Sequence, residues 1–142
     1  MIYTTLTKKA LKICFNAHKD QVDKTGMPYV FHPFHLAEHM DCEDSVCVAL
    51  LHDVVEDTNI TFDDLTNEGF NDNIINALKL LTHNDDTPYM AYVKRIKENQ
   101  IATKVKLADL KHNSDLTRLD LNVDKFPQKF ELYKEAIKFL EN

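Results

Sequence analysis

The run Leu50-Leu51-His52-Asp53-Val54-Val55-Glu56-Asp57-Thr58 holds the residue types with the most chemistry to offer. An apolar stretch, Val46 to Leu51, leads directly into an adjacent imidazole and carboxylate, and two more acids follow. At the end of a buried helix, His52 and Glu56 share one face, and Asp53 and Asp57 the next. Unpaired carboxylates and imidazoles are costly there. A positive charge must offset that cost, and a metal ion is the simplest candidate. The competing reading is a helix that surfaces after Leu51 and shows a solvated acidic end. A lone His-Asp pair favours that second reading; Glu56, Asp57 and the motifs below favour the first.

Two further residues could join this pair. His32 precedes Pro33 and follows the turn-forming run Asp23-Lys24-Thr25-Gly26-Met27-Pro28-Tyr29. Proline suits the first helical position, which puts His32 at a helix cap, held by a rigid bend. Lys24 and Tyr29 fall in the loop and are expected to be exposed enough to touch a ligand. Asp109 sits inside Leu107-Ala108-Asp109-Leu110, with Asn113 four residues on. An acid in that setting is a metal ligand or the buried partner of a cation such as Lys106. Two imidazoles and two carboxylates make a mixed nitrogen and oxygen set, better suited to manganese, iron or zinc than to calcium or magnesium. Spacing alone does not bring them together.

Other histidines read more plainly. His18 is expected to be a hydrogen-bonded structural residue. His35 and His39 have the i,i+4 spacing of a metal pair, but the adjacent Leu36 and Met40 favour a partly buried or surface role. His112 is assigned to a different helix face from Asp109 and to structure.

The elements that must position these groups are helical. Leu6, Ala10, Ile13, Cys14 and Ala17 form a stripe over about Thr5 to Lys19. A second helix follows Pro33. A third, from about Asp44 to Val55, is apolar nearly all round and should be central. Thr61 with Asp64 resembles a capping box, opening a short helix that ends near Gly69. Further helices are expected from about Asp72 to Thr82, from Pro88, within the stretch Ile101 to Leu119 around Asp109, and from Pro127, where Phe126, Phe130, Tyr133, Ile137 and Leu140 line one face. No convincing strand is found. The expected fold is all-α, a single domain over 1–142 with about eight helices.

Composition narrows the function. The chain has 142 residues, a net charge of −6 and a hydrophobic share of 44%. The negative balance argues against duplex binding, which rests on neutralising phosphates. No run approaches a membrane span and no secretory signal is visible, so a cytoplasmic location is expected. Three cysteines without CxxC spacing argue against a disulfide framework.

Four ordered blocks carry a resemblance. They are Ala17-His18-x-x-Gln21, Gly26-x-Pro28-Tyr29-x-x-His32-Pro33, Ala49 through Thr58, and Val105-Lys106-Leu107-Ala108-Asp109-x-x-His112-Asn113. Together they resemble the HD superfamily of metal-dependent phosphohydrolases, and more closely the hydrolase domain of RelA/SpoT-type alarmone enzymes and small stand-alone alarmone hydrolases. The resemblance implies that His32, His52, Asp53 and Asp109 hold one divalent ion, expected to be Mn(2+). It implies that Glu56 and Asp57 position or activate water and that Asn113 contacts the nucleotide, and Lys24 matches a basic family position; Tyr29 is a substrate-binding candidate from its place in the loop. The implied reaction removes the 3′-pyrophosphate of ppGpp or pppGpp. Asp20 stands where the family usually has Gly, Asp23 where it has an Arg that stacks on guanine, and Leu110 where an Arg commonly follows the metal Asp. Asp23 cannot stack and repels an anion. Two alternatives therefore stand beside alarmone hydrolysis: an HD-type enzyme acting on another nucleotide or phosphoester, and a nucleotide-binding module of weak turnover. No synthetase domain follows Asn142, so alarmone synthesis is not expected. The sequence does not give an oligomeric state.

Overall fold

The computed structural model describes residues 1–118 and 128–142. Nine α-helices are found among them. They are α1 (Thr5–His18), α2 (Phe31–Glu38), α3 (Glu43–Leu51), α4 (Val54–Asp57), α5 (Phe62–Asn67), α6 (Asp72–Leu81), α7 (Tyr89–Ile96), α8 (Gln100–Asn113) and α9 (Lys129–Glu141). A 3-10 turn covers Leu116–Arg118. The only strand-like pairing among the described residues is an isolated bridge between Val22 and Pro28.

Helix α3 lies at the centre, as its all-round apolarity predicts. Every residue from Ser45 to Leu51 is buried. It packs against α1, α2, α6 and α8. Burying Leu50 and Leu51 completely contributes roughly 1.5–3 kcal/mol each. The amphipathic helices around it turn one stripe inward: Ala10 and Cys14 from α1, Ile74 and Leu78 from α6, Ala102 and Val105 from α8.

Caps set the boundaries. The Thr4 and Thr7 side chains close a capping box on α1, and Thr61 with Asp64 does the same for α5, as expected. Asn71 and Asn99 accept from the third backbone N–H of α6 and α8. Gly69, at φ 101°, takes the left-handed conformation just past α5.

Two boundaries differ from expectation. The third helix does not run through Val55. It stops at Leu51, and Asp53 takes φ −107° and ψ −1° before α4 begins at Val54. This bridge conformation breaks the helical ladder and re-aims two consecutive polar side chains. The second helix starts at Phe31, ahead of His32 and Pro33, because Pro33 needs no backbone donor within the first turn. The proposed start of the last helix, with Phe126 and Pro127, lies outside the described residues.

Candidate metal centre

Three elements deliver the candidate site. The loop between α1 and α2 is fastened by Asp23, whose Oδ1 accepts from Thr25 N–H at 2.8 Å, Thr25 Oγ1 at 2.7 Å and Met27 N–H at 3.1 Å. The Thr25 hydroxyl holds that carboxyl below the usual carboxylate range. The loop hands Tyr29 and His32 to the interior. The α3–α4 turn supplies His52 and Asp53, and α8 supplies Asp109.

These side chains converge. His32, His52 and Asp109 are all buried, with one ligand atom from each lying within 4.8 Å of the others. His32 Nε2 lies 2.8 Å from Asp109 Oδ1, and His52 Nε2 lies 3.7 Å from the same oxygen. Asp53 adjoins them, its Oδ2 3.1 Å from His52 Nε2. The same carboxylate oxygen accepts from the Tyr29 hydroxyl.

The donor chemistry suits a cation. His52 Nδ1 lies 2.7 Å from the Ala49 carbonyl oxygen, which can only accept. In the neutral ring the proton is therefore on Nδ1, and Nε2 carries a lone pair. That Nε2 is buried and has no hydrogen-bond partner among the described residues. Burial, and then the carboxylates of Asp109, Asp57 and Glu56, push the Asp53 carboxyl up to about 8. A bare buried lone pair beside a crowd of acids is the environment a divalent ion relieves.

Asp109 has a second partner. Its Oδ2 accepts from Lys106 Nζ at 2.9 Å, so the ion pair weighed against metal ligation is present beside it. Burial works against the ionised carboxyl, but the Lys106 ammonium holds it well below the usual range. Asn113, expected at the nucleotide, donates to Asp109 Oδ1 at 3.0 Å. The pair thus shares the load on one carboxylate.

His112, expected to be structural, has a specific partner: its Nδ1 lies 2.7 Å from His32 Nδ1, the ring planes 11° from parallel. It stacks on His35. The spacing carried this signal, since residues three and four beyond Asp109 flank its own face of the helix. His35 and His39 are exposed, as expected. His18 is buried, with Nδ1 2.8 Å from Gln21 Oε1. Gln21 Nε2 reaches Asp57 Oδ2 at 3.4 Å.

Two cavities flank the cluster. One, of about 150 Å3, is bordered by His52, Asp53, Glu56, Tyr89, Lys106 and Asp109. Glu56 stands at its wall, with Oε1 accepting from the His83 backbone N–H at 2.8 Å. The other, of about 320 Å3, is bordered by Asp23, Tyr29, Phe31, His32, His112 and Arg118. Tyr29 therefore lines a cavity with its ring while its hydroxyl is engaged by Asp53. Lys24 is exposed and stands beside Lys129, whose ammonium it holds below the usual lysine range.

The fold and this cluster define an all-helical domain whose centre is a histidine and aspartate site for a divalent ion. The sequence profile described as "HD domain" matches residues 10–111. The chain belongs to the HD domain family. It is 32% identical over 127 residues to the guanosine-3′,5′-bis(diphosphate) 3′-pyrophosphohydrolase MESH1 of Xenopus tropicalis, covering 80% of this chain and 70% of that protein. It is 41% identical over 64 residues to the putative chloroplastic GTP diphosphokinase RSH1 of Oryza sativa subsp. japonica, 42% of this chain and 7% of that protein. The chain thus spans a small fraction of the long plant relatives it matches. A solved structure described as a metazoan orthologue of SpoT that hydrolyses ppGpp superposes with a TM-score of 0.72 at 22% identity, covering 99% of this chain and 85% of that one. That likeness concerns the fold. Among the described residues no helix is long and apolar enough to cross a membrane.

Proposed function

We propose that this chain is a manganese-dependent pyrophosphohydrolase that removes the 3′-pyrophosphate from ppGpp or pppGpp. The observation that carries the proposal is the bare, buried Nε2 of His52 among His32, Asp53 and Asp109. The relatives named as guanosine-3′,5′-bis(diphosphate) 3′-pyrophosphohydrolases support the substrate class.

His32, His52, Asp53 and Asp109 would hold the ion. When bound, a divalent ion of this kind polarises phosphoryl oxygens and lowers the pKa of water. The chain's own groups do the rest. Glu56 and Asp57 accept a proton from the attacking water; Glu56 is held at the cavity wall by the His83 backbone N–H, and Asp57, outside that wall, accepts from Gln21. Tyr29 and Asn113 fix the carboxylates of Asp53 and Asp109 through hydrogen bonds. The nucleoside takes the cavity beside His32, where Tyr29, Phe31 and Arg118 offer ring faces and a cation. Lys24, with Lys129 at its side, adds positive charge for phosphate.

Incubation with ppGpp and manganese tests the proposal. Pyrophosphate and guanosine 5′-diphosphate are expected, and Asp53→Ala abolishes both. Orthophosphate alone, or no product, contradicts it.

Asp23 favours a second reading. Its carboxylate borders the cavity assigned to the nucleoside and disfavours an anionic group there. On this reading another nucleotide or phosphoester is cleaved at the same centre, and a panel of nucleotides assayed with metal separates the two.

A further inference from the structure

The smaller cavity holds a feature that metal binding and water activation do not use. Its lining residues include three carboxylates, from Asp53, Glu56 and Asp109, and a single lysine or arginine, Lys106. Lys106 spends one of its three N–H donors on Asp109 and rests over the Tyr92 ring, 5.3 Å from its centroid. Two tyrosines line the same space. The Tyr92 hydroxyl donates to the Leu81 carbonyl at 2.6 Å. The Tyr89 hydroxyl is also buried, yet it has no partner among the described residues. Leaving a buried hydroxyl unpaired is destabilising, and a phenylalanine would fill the same volume without that cost.

We infer that Tyr89 and Lys106 form a phosphate-oxygen subsite on the flank of the cluster away from His32. The chemistry that fits a buried O–H donor, an ammonium and an adjacent divalent ion is an oxyanion with several acceptor oxygens. A substrate spanning both cavities has its nucleoside beside His32 and the phosphoryl group being released beside Tyr89. The inference rests on the proposed metal-dependent hydrolysis, because three carboxylates keep an anion out until the ion at the cluster offsets them.

Inorganic phosphate is the probe. The full chain is titrated calorimetrically with phosphate, with free manganese held constant, and manganese affinity is measured separately for each protein. Tyr89→Phe is expected to bind manganese like the wild type and phosphate about tenfold more weakly, the loss of one hydrogen bond to a charged group. Lys106→Met is expected to lose phosphate binding by a larger factor at saturating manganese. Equal phosphate affinity in wild type and Tyr89→Phe overturns the subsite, as does failure of the manganese-loaded wild type to bind phosphate. The same preparations are assayed for ppGpp cleavage. Phosphate binding weakened by Tyr89→Phe in a protein that cleaves no ppGpp supports the subsite while sinking the alarmone reading. Cleavage with phosphate affinity unaffected by Tyr89→Phe supports that reading and sinks the subsite.

Discussion

His32 and His112 meet nitrogen to nitrogen, their Nδ1 atoms 2.7 Å apart. Such a contact needs one ring to donate and the other to accept. For His32 to offer Nε2 as a ligand, its proton must sit on Nδ1, and His112 must then accept with a bare Nδ1. His112 is suited to this: burial first, then the charges of His32 and Arg118, push it down to about 3, so it stays neutral. One imidazole thereby sets the tautomer of the other.

Removing that acceptor should loosen the metal. His112→Ala is expected to weaken manganese binding by roughly 10–100-fold, the usual effect of losing a partner behind a metal ligand. Calorimetric titration with manganese, alongside circular dichroism to confirm folding, measures it. Unchanged affinity would show that the contact is incidental.

The hydrogen bond from Tyr29 to Asp53 makes a parallel case. Tyr29→Phe keeps the ring against His18 and His32 and removes only the donor. Manganese affinity should fall by about tenfold. Unchanged manganese affinity in the folded variant would contradict this role for the hydroxyl.

Asp109 carries both the ion pair and the cluster. Asp109→Ala leaves the Lys106 ammonium buried without its acid, which should destabilise the metal-free protein by about 3–5 kcal/mol. In the wild type, manganese at a hundredfold above its dissociation constant should add about 2.7 kcal/mol, raising the melting temperature by roughly 5–10 °C. Asp109→Ala should show no such rise, and chelator should reverse it in the wild type.

Much of this was readable in advance. The all-round apolarity of Val46 to Leu51 marked the central helix, and Thr61 with Asp64 marked a cap, because both signals are local. The break between Leu51 and Val54 was not readable. No glycine or proline marks it, and the polar pair His52-Asp53 turns inward only because α1, α2 and α8 crowd round that end. The engagement of the Tyr29 hydroxyl was hidden for the same reason, since its partner Asp53 lies 24 residues away. His112 could have been found from its spacing to Asp109 alone.

The cysteines give an independent check on the packing. Burial pushes the thiols of Cys14 and Cys47 up to about 12, whereas Cys42 is exposed at the start of α3. A thiol reagent at pH 8 should label one cysteine per folded chain rapidly and all three only after denaturation. Fast labelling of Cys14 would mean that α1 does not pack on α3 as described.

The claim on which the rest depends is that His32, His52, Asp53 and Asp109 share one ion. Crystals grown with manganese and measured at its absorption edge test it most directly. The account predicts one anomalous peak bonded to all four side chains, with Asp109 still reached by Lys106. A peak elsewhere, or none at the cluster while the protein cleaves nucleotide, would contradict it.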